Sequence, residues 1–515
     1  MSIDDRLRSI EKRQNILAAI VVALVCYLAC RDIRAEDVGR WIPAPADAVG
    51  WALADVALSA EIDRPFQRFL WIPPWGNEQW LAALNYGVNT AASHARTIHL
   101  GIPVANGWMV RYDLRRLAPD SVRLATLLAT WDGLAVDDPY FHVPATNTNL
   151  KIAVIAPHLD QGQAVTLANL SLSVGSVYRA DWFLTKALSQ INGGRYYDFR
   201  QVTRKPEQGS ALDAWLSARG LFVGSTQTAG GERRAAMFRS QVTGKPRRVD
   251  LFPTLSGGMG SITRDLKDGN VEAGSHPLRN LLKFSDDGSE VIVAQPNGLL
   301  DYVLADSEGN IVDVAPPDLV RDHTVPPPHT ARLQPARSCI SCHSLAGEDG
   351  WRKVTNDVQR LLNSQLNVFA DFGAEFTREQ VVDTLAGLYA LDVEHADGLL
   401  SRARRDHSTA VFRCAAGIQF PADRSIVASV GQLVTSIVNS YDYDVIHPRK
   451  AALELGMFVP ANVADPISAV LGPPNSVTEV DPIVGFLRIG VPVNRHDFEI
   501  VYGDMAAVTA ANRKH

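Results

Sequence analysis

The sequence predicts an α+β protein, in which a mixed N-terminal domain with a β-meander precedes a mainly α-helical region. The meander is indicated by strand-like runs at 290–295 and 299–305, joined by the turn sequence Pro296-Asn297-Gly298. The helical region is indicated by apolar residues that recur at helical spacing after residue 354. With 515 residues, the chain is long enough for two or three domains with large cores.

Capping residues and apolar periodicity divide the N-terminal part into helices and strands. Asn77 and Asp120 are each expected to open a helix, and Gly193-Gly194 to close one. The predicted elements are a helix over 78–93, a strand over 108–114, a helix from 120, a strand over 150–155, a helix entered at 179–183, and a third meander strand over 311–314. Residues 205–280 show no clear pattern, and the glycines at 257–260 predict a loop.

In the C-terminal part, apolar residues recur at helical spacing. Thr377 and Gln380 form the capping box of one helix. The predicted elements are helices over 354–366, 378–391, 393–412 and 420–455, followed by a strand or loop region over 462–497 that is rich in proline and valine.

One short stretch, Cys339-Ile340-Ser341-Cys342-His343, carries specific chemistry. Two cysteines three residues apart, followed at once by histidine, are typical of covalent c-type haem attachment. The two thiols add across the two vinyl groups of the porphyrin, and His343 then reaches the iron as the proximal ligand. The sequence therefore predicts one covalent haem c per chain, with Cys339, Cys342 and His343 as its binding residues.

Two other chemistries use paired cysteines. A zinc site would need two more ligands, and downstream of the motif only Cys414 offers a thiol. A thioredoxin-type dithiol would lie between a strand and a helix, whereas a proline-rich loop over 316–335 precedes this motif. Covalent haem is the interpretation that the surrounding sequence favours, and the second region is accordingly predicted to be a cytochrome c-like haem domain.

The N-terminus carries a targeting or anchoring segment. Residues 16–30 contain no charge, and four basic residues precede them, so the remainder of the chain is predicted to be exported. Three outcomes are open: an uncleaved membrane anchor, cleavage after Ala35, or lipidation of Cys30. We expect a periplasmic or extracytoplasmic protein that is attached to the cytoplasmic membrane through this segment. Export agrees with haem c, because bacterial covalent haem attachment happens outside that membrane.

Composition restricts the partners. The apolar fraction is 46%, and the net charge is −6 without any basic tract, so a globular protein that does not bind nucleic acid is predicted. A mildly acidic surface suits a basic redox partner protein or a quinol-linked complex. The predicted division of the chain is an anchor over 1–35, a haem-free α+β domain over 36–325, a haem domain over 326–430 and a helical extension over 431–515.

Four strings occur in a set order: residues 179–183, 296–310, 338–343 and 450–456. Together they resemble large exported monohaem cytochrome c domain proteins of the planctomycete and myxobacterial type. The resemblance covers residues 80–457 in patches, and only the haem motif within it is chemically specific. It implies haem c, export and redox work, with a long haem-free α+β region before a single attachment motif.

The sixth ligand of the iron determines the function. The usual distal methionine is missing, because no methionine lies between His343 and Met457. The candidates are His395, His407 and Met457, with His323 and His329 before the motif, or an open site filled by water or by a ligand from the N-terminal domain. Two strong ligands would leave no place for substrate, whereas an open position would permit peroxidase-like chemistry or redox and gas sensing.

We therefore expect an electron-transfer protein, with a monohaem enzyme or a haem-based sensor as the alternatives. The large haem-free portion exceeds what a bare electron shuttle needs, which keeps those alternatives open. No serine, histidine and aspartate set and no paired carboxylate motif stands out, so no catalytic residues are predicted apart from the haem site.

Overall fold

The computed structural model describes residues 45–92, 95–140, 177–202, 204, 210–218, 233–237, 247–254, 259–265, 286–316, 320–322, 324–327, 329, 331–345, 393–422, 424–459, 462–473 and 481–512. The predicted anchor, the strand over 150–155, the helices over 354–366 and 378–391, and His323 lie outside these residues. The fold is mixed α+β with several sheets, as the sequence predicts at that level. No helix in these ranges is both long and apolar enough to cross a membrane.

The helices and strands alternate in the first half and become mainly helical in the second. The helices are α1 Pro45–Leu58, α2 Trp80–Ala91, α3 Ser121–Leu134, α4 Ala180–Leu188, α5 Tyr196–Phe199, α6 Ala211–Ala218, α7 Arg337–Leu345, α8 Val393–Cys414, α9 Ile426–Tyr443, α10 Pro448–Glu454, α11 Pro466–Leu471, α12 Pro482–Arg488 and α13 Arg495–Asn512. The strands are β1 Gln67–Trp71, β2 Ile102–Val104, β3 Met109–Asp113, β4 Val177–Arg179, β5 Arg233–Met237, β6 Arg247–Pro253, β7 Met259–Asp265, β8 Gly288–Ala294, β9 Leu300–Asp306, β10 Val445–Ile446 and β11 Val493–Asn494.

The first sheet has the strand order β2-β3-β1-β4, with β4 parallel to β1 and the other pairs antiparallel. The predicted strand over 108–114 is confirmed as β3. The helix predicted from residue 120 is confirmed as α3, because the Asp120 side chain accepts a hydrogen bond from the Arg123 amide and so caps it. The string 179–183 does enter α4, but this helix ends at Leu188, before the two glycines expected to close it.

The second sheet is a five-stranded antiparallel meander in the order β5 to β9. Its β8–β9 hairpin confirms the predicted pair of strands, and Gly298 in the turn has a φ of +90°. The predicted third strand over 311–314 is wrong, since it is reduced to a single bridge between Ala305 and Ile311. The chain leaves the sheet there because the Ala315 amide donates to the carbonyl of Leu333, in the segment that precedes the cysteine motif.

Strands β5 to β7 lie between residues 205 and 280, where the sequence shows no clear pattern. The expected loop over 257–260 is wrong at its end, because β7 begins at Met259. Gly260 is needed there, since an added Cβ would lie 2.2 Å from the ring of Phe252, its partner on β6. The glycine thus marks close packing within a strand rather than a turn.

Most of the described residues after 393 are helical. The helix over 393–412 is confirmed as α8, and that over 420–455 contains α9 and α10. The predicted strand or loop over 462–497 is wrong, because it holds α11, α12 and the start of α13. Asp465 and Asp481 each cap a helix whose first residue is proline, a residue that the first turn accepts because that amide needs no partner.

Helix α9 is central to the packing. It contacts α2 and α4 from the first half of the chain and α7 and α8 from the second half. One continuous cluster of buried apolar side chains extends from Leu70 to Met505 and includes Cys339 and Cys414. The described residues on either side of residue 325 therefore share this core, and the predicted domain division stays a prediction.

A buried ion cluster joins the two halves directly. The Glu454 carboxylate receives Arg179 Nη1 at 2.6 Å and Arg495 Nη1 at 2.6 Å, while Arg179 also pairs with Asp181 at 2.7 Å. All four side chains are almost fully enclosed. Two of the strings that carry the sequence resemblance, 179–183 and 450–456, thus contact each other through Arg179 and Glu454.

Candidate haem site

Helix α7 presents the cysteine motif from its first turns. The chain turns into this helix at Ala336, which has a φ of +56°. The Ser338 hydroxyl accepts a hydrogen bond from the Gln334 amide at 3.0 Å and donates one to Asp322. Arg337 donates to Asp442 and Asn439 of α9. These contacts fix the start of α7 against α9, so that the residues after Ser338 point toward the second sheet and α8.

The two cysteines differ in their surroundings. Cys339 is 1% exposed and its Sγ lies 3.9 Å from the Gln334 carbonyl oxygen, whereas Cys342 is half-buried. Burial, followed by the nearby charge of Glu290, raises the pKa of the Cys339 thiol well above its usual value. The same two causes, with Asp322, raise the pKa of Cys342 to about 12. Both side chains are therefore thiols rather than thiolates at neutral pH.

Glu290 on β8 contacts the motif. Its Oε1 lies 3.7 Å from His343 Nε2, and its charge is near enough to Cys339 to raise the pKa of that thiol. Burial raises the pKa of Glu290, but His343, with Arg247 and Cys339, outweighs this and lowers it to about 2. The Glu290 carboxylate is consequently ionised, and it lies beside the His343 imidazole.

Aromatic contact completes the surroundings of His343. Tyr302 on β9 lies with its ring centroid 6.2 Å from that of His343, at an interplanar angle of 34°. Tyr302 pairs with Ile292 across the hairpin, and Glu290 pairs with Leu304, so these four residues lie on one face of the sheet. The hairpin that the sequence predicted therefore forms one wall of the site.

His407 on α8 is a candidate distal ligand that lies near the motif, since the charge of His343 acts on its ring. Its side chain is 2% exposed, and neither ring nitrogen has a hydrogen-bond partner among the described residues. Burial lowers the pKa of His407 to about 4, and the charge of the nearby His343 contributes in the same direction. The structure thus brings together Cys339, Cys342 and His343 with His407, which follows the motif by more than sixty residues in the sequence.

The other candidates are placed differently. His395 lies in the first turn of α8, and its side chain is outside the described part of the chain. Met457 follows α10, is half-buried and packs against the apolar core. His329 is exposed, with its ring centroid 4.6 Å from that of Tyr443 on α9.

The donor set contains the residue types that a covalent haem uses. Two neutral thiols and a histidine come from one helix, and a buried imidazole with both nitrogens unpartnered comes from another. A buried polar atom without a partner is costly in a protein interior, and such atoms are expected to bind a group that fills the site. In the part of the chain that the structure describes, no cluster of three or more His, Cys, Asp or Glu side chains is arranged to hold a metal ion.

Sequence reasoning missed Glu290. In the sequence, Glu290 could have been noticed as a carboxylate in the otherwise apolar strand 290–294, because an ionisable side chain needs a partner to be buried. His407 was one of several distal candidates, because no local pattern distinguishes it from His395.

Comparison with known proteins gives no assignment. No family model matches the chain, and neither a curated protein nor a solved structure matches it.

Proposed function

We propose that this protein is a c-type cytochrome that holds one covalent haem and transfers electrons outside the cytoplasmic membrane. Cys339 and Cys342 form the two thioethers, and His343 is the proximal ligand of the iron. The haem supplies a one-electron couple, the ferric and ferrous states of its iron. The observation that carries the proposal is His407 on α8, a buried imidazole near the motif whose two nitrogens have no partner among the described residues.

His407 is the proposed sixth ligand. An imidazole buried without hydrogen bonds loses its hydration and gains nothing in exchange, a cost of about 1–3 kcal/mol. A low pKa keeps the ring neutral, and neutral imidazole is the form that binds iron. The helix that carries His407 is fixed at that point, because the Asp406 carbonyl oxygen and Ala410 pack closely against the Gly298 turn of the hairpin.

Two histidine ligands favour electron transfer over catalysis. If His343 and His407 both bound the iron, substrate would have no place there, and the chain's own residues would need only to hold the group and exclude water. Burial of Cys339 and His407 serves that purpose. The partner is a redox protein or a quinol-linked complex, and the N-terminal segment over 1–35 attaches the protein to the membrane. A monohaem enzyme or a sensor with an open distal site is the competing outcome of the test below.

Visible spectroscopy of the protein matured with a c-haem assembly system tests the proposal. Wild type is expected to show a low-spin ferrous spectrum with a sharp α band that CO does not change. His407→Ala is expected to become high-spin and to bind CO readily, with the covalent haem retained. His329→Ala is the matched control, since this exposed histidine contacts Tyr443 and should leave the spectrum unchanged.

Other results would redirect or end the proposal. A wild-type spectrum that is already high-spin would contradict the electron-carrier function and favour peroxide or gas chemistry. A low-spin spectrum in His407→Ala would shift the ligand to His395 or Met457, to be tested by the same substitution. Absence of covalent haem from the wild-type protein would overturn the proposal altogether and return the motif to zinc or dithiol chemistry.

A further inference from the structure

Helix α8 has two faces of different character. The inner face carries His407 between Ala403 and Ala410, and all three residues are at most 3% exposed. The outer face consists of exposed residues, namely Arg402, Arg405, Thr409, Phe412 and Arg413. With about 3.6 residues per turn, these positions lie on the side of the helix opposite His407. The same helix therefore faces the candidate haem site on one side and solvent on the other.

The outer face is basic, although the protein as a whole is acidic. The described side chains of α8, from residue 401 to 414, include four arginines and one aspartate, Asp406, whereas the whole chain has a net charge of −6. The three arginines of the outer face form no ion pair with any described residue. Elsewhere in the described chain, arginines such as Arg111, Arg204 and Arg264 each pair with an aspartate. The outer face thus keeps its positive charge available to a partner.

Phe412 is an exposed aromatic side chain within this basic surface. It is 62% exposed, and it lies two turns after Arg405 and beside Arg413. Arginine and aromatic residues are enriched at the centres of protein interfaces, where a few such residues account for most of the binding energy. From Arg402 to Arg413 the outer face extends about 17 Å along the helix, a length that suits the small interfaces of transient electron-transfer complexes.

The outer face also lies close to the candidate haem site. A helix with its side chains is about 10–12 Å across, so a protein bound to the outer face lies about one helix diameter from His407. At that position a partner exchanges an electron with the iron without entering the apolar core. A membrane fits the surface less well, because a helix that lies in a membrane interface inserts a whole apolar face, and the apolar face of α8 is already buried.

We infer that the outer face of α8 docks an acidic electron-transfer protein, whose approach the arginines steer and whose contact is centred on Phe412. This inference rests on the proposed function and names the chemistry of its partner. One electron passes between the two proteins, so that the donor is oxidised by one electron while ferric iron becomes ferrous. Local charge rather than net charge steers such an encounter, and the partner is therefore acidic even though the chain as a whole is acidic too.

Stopped-flow reduction of the haem-loaded protein tests the inference, with reduced flavodoxin as a small acidic electron donor. Arg405→Glu reverses one exposed charge with a residue of similar helix propensity. At low ionic strength its second-order rate constant is expected to be about tenfold below that of wild type. The difference should vanish near 1 M salt, where the screening length is about 3 Å. Arg123→Glu makes the same change on the half-exposed surface of α3 and is expected to leave the rate constant unchanged.

Phe412→Ala separates contact from charge, since it should slow the reaction while its rate constant keeps the ionic-strength dependence of wild type. Binding of dye-labelled oxidised flavodoxin, followed by fluorescence anisotropy, should weaken in both Arg405→Glu and Phe412→Ala. If Arg405→Glu does not fold, Arg413→Glu decides by the same comparison.

Equal rate constants in the α8 and α3 variants would overturn the inference. Binding to phosphatidylglycerol vesicles that Arg405→Glu weakens, with no effect on the rate of reduction, would assign the surface to the membrane and overturn it as well. Wild-type protein without covalent haem would instead end the proposed function.

Discussion

Replacement of Glu454 by glutamine should destabilise the protein by about 3 kcal/mol, whether or not haem is attached. The carboxylate is enclosed, and it accepts from Arg179 Nη1 at 2.6 Å, from Arg495 Nη1 at 2.6 Å and from Arg495 Nη2 at 2.8 Å. Glutamine keeps the shape but removes the charge that balances the two arginines. Breaking a buried pair by removing one partner costs about 3–5 kcal/mol, because the other charge is left uncompensated.

The pKa of Glu454 gives an independent magnitude. Burial raises it, but Arg179 and Arg495 outweigh burial and lower it from 4.5 to about 2. Each tenfold change in proton affinity is worth about 1.4 kcal/mol, so the ionised carboxylate contributes about 3 kcal/mol to folding. Because the folded pKa is the lower one, this contribution is complete above pH 4.5 and is lost as the pH falls toward 2.

Urea unfolding followed by circular dichroism measures the effect at neutral pH and again at pH 3. At neutral pH Glu454→Gln should lose about 3 kcal/mol, and the gap from wild type should narrow at pH 3. Glu308→Gln, an exposed turn residue, serves as the control and should change stability by less than about 0.5 kcal/mol. A loss below about 1 kcal/mol in Glu454→Gln, or a gap independent of pH, would refute the reasoning.

Two further predictions concern the backbone. Gly298→Ala should lower the free energy of unfolding by about 2 kcal/mol or more in the same assay, because φ is +90° and the added Cβ would lie 2.8 Å from the Asp406 carbonyl oxygen. An unchanged midpoint would mean that α8 and the hairpin do not pack as described. Asp120→Ala should cost about 1 kcal/mol, since the side chain caps α3 at the Arg123 amide with a distance of 2.8 Å, while Asp120→Asn should restore most of it. Equal losses in both variants would contradict the capping role.

Local patterns were sufficient where one element determines its own structure. The β8–β9 hairpin follows from a turn sequence between two apolar runs, and α3 from an aspartate before an amphipathic stretch. The attachment motif also needs no tertiary information, because three residue types at fixed spacing define its chemistry. The hairpin and α3 are thus confirmed sequence predictions, whereas haem attachment stays a prediction.

The remaining features depend on contacts between distant segments. Strand β7 begins at a glycine-rich run, and only the ring of Phe252 on β6 explains why Gly260 belongs in a strand. Short helices α11 and α12 were mistaken for strand or loop, because their Asp-Pro starts resemble turns. His407 and Glu290 come near the motif only through the packing of α8 and the second sheet, which no periodicity reveals.

The Arg179–Glu454 contact has a consequence for how the chain reaches its native state. The two residues are 275 positions apart, and the carboxylate is balanced only once Arg495 has also arrived. During synthesis, the N-terminal residues can form the first sheet early. Arg179 and the aromatic side chains around it must then stay exposed until nearly the whole chain has been made. Contacts between such distant residues slow folding. The incomplete chain therefore depends on protection during its synthesis. A deletion that removes α13 is therefore expected to damage the first sheet, at the opposite end of the polypeptide.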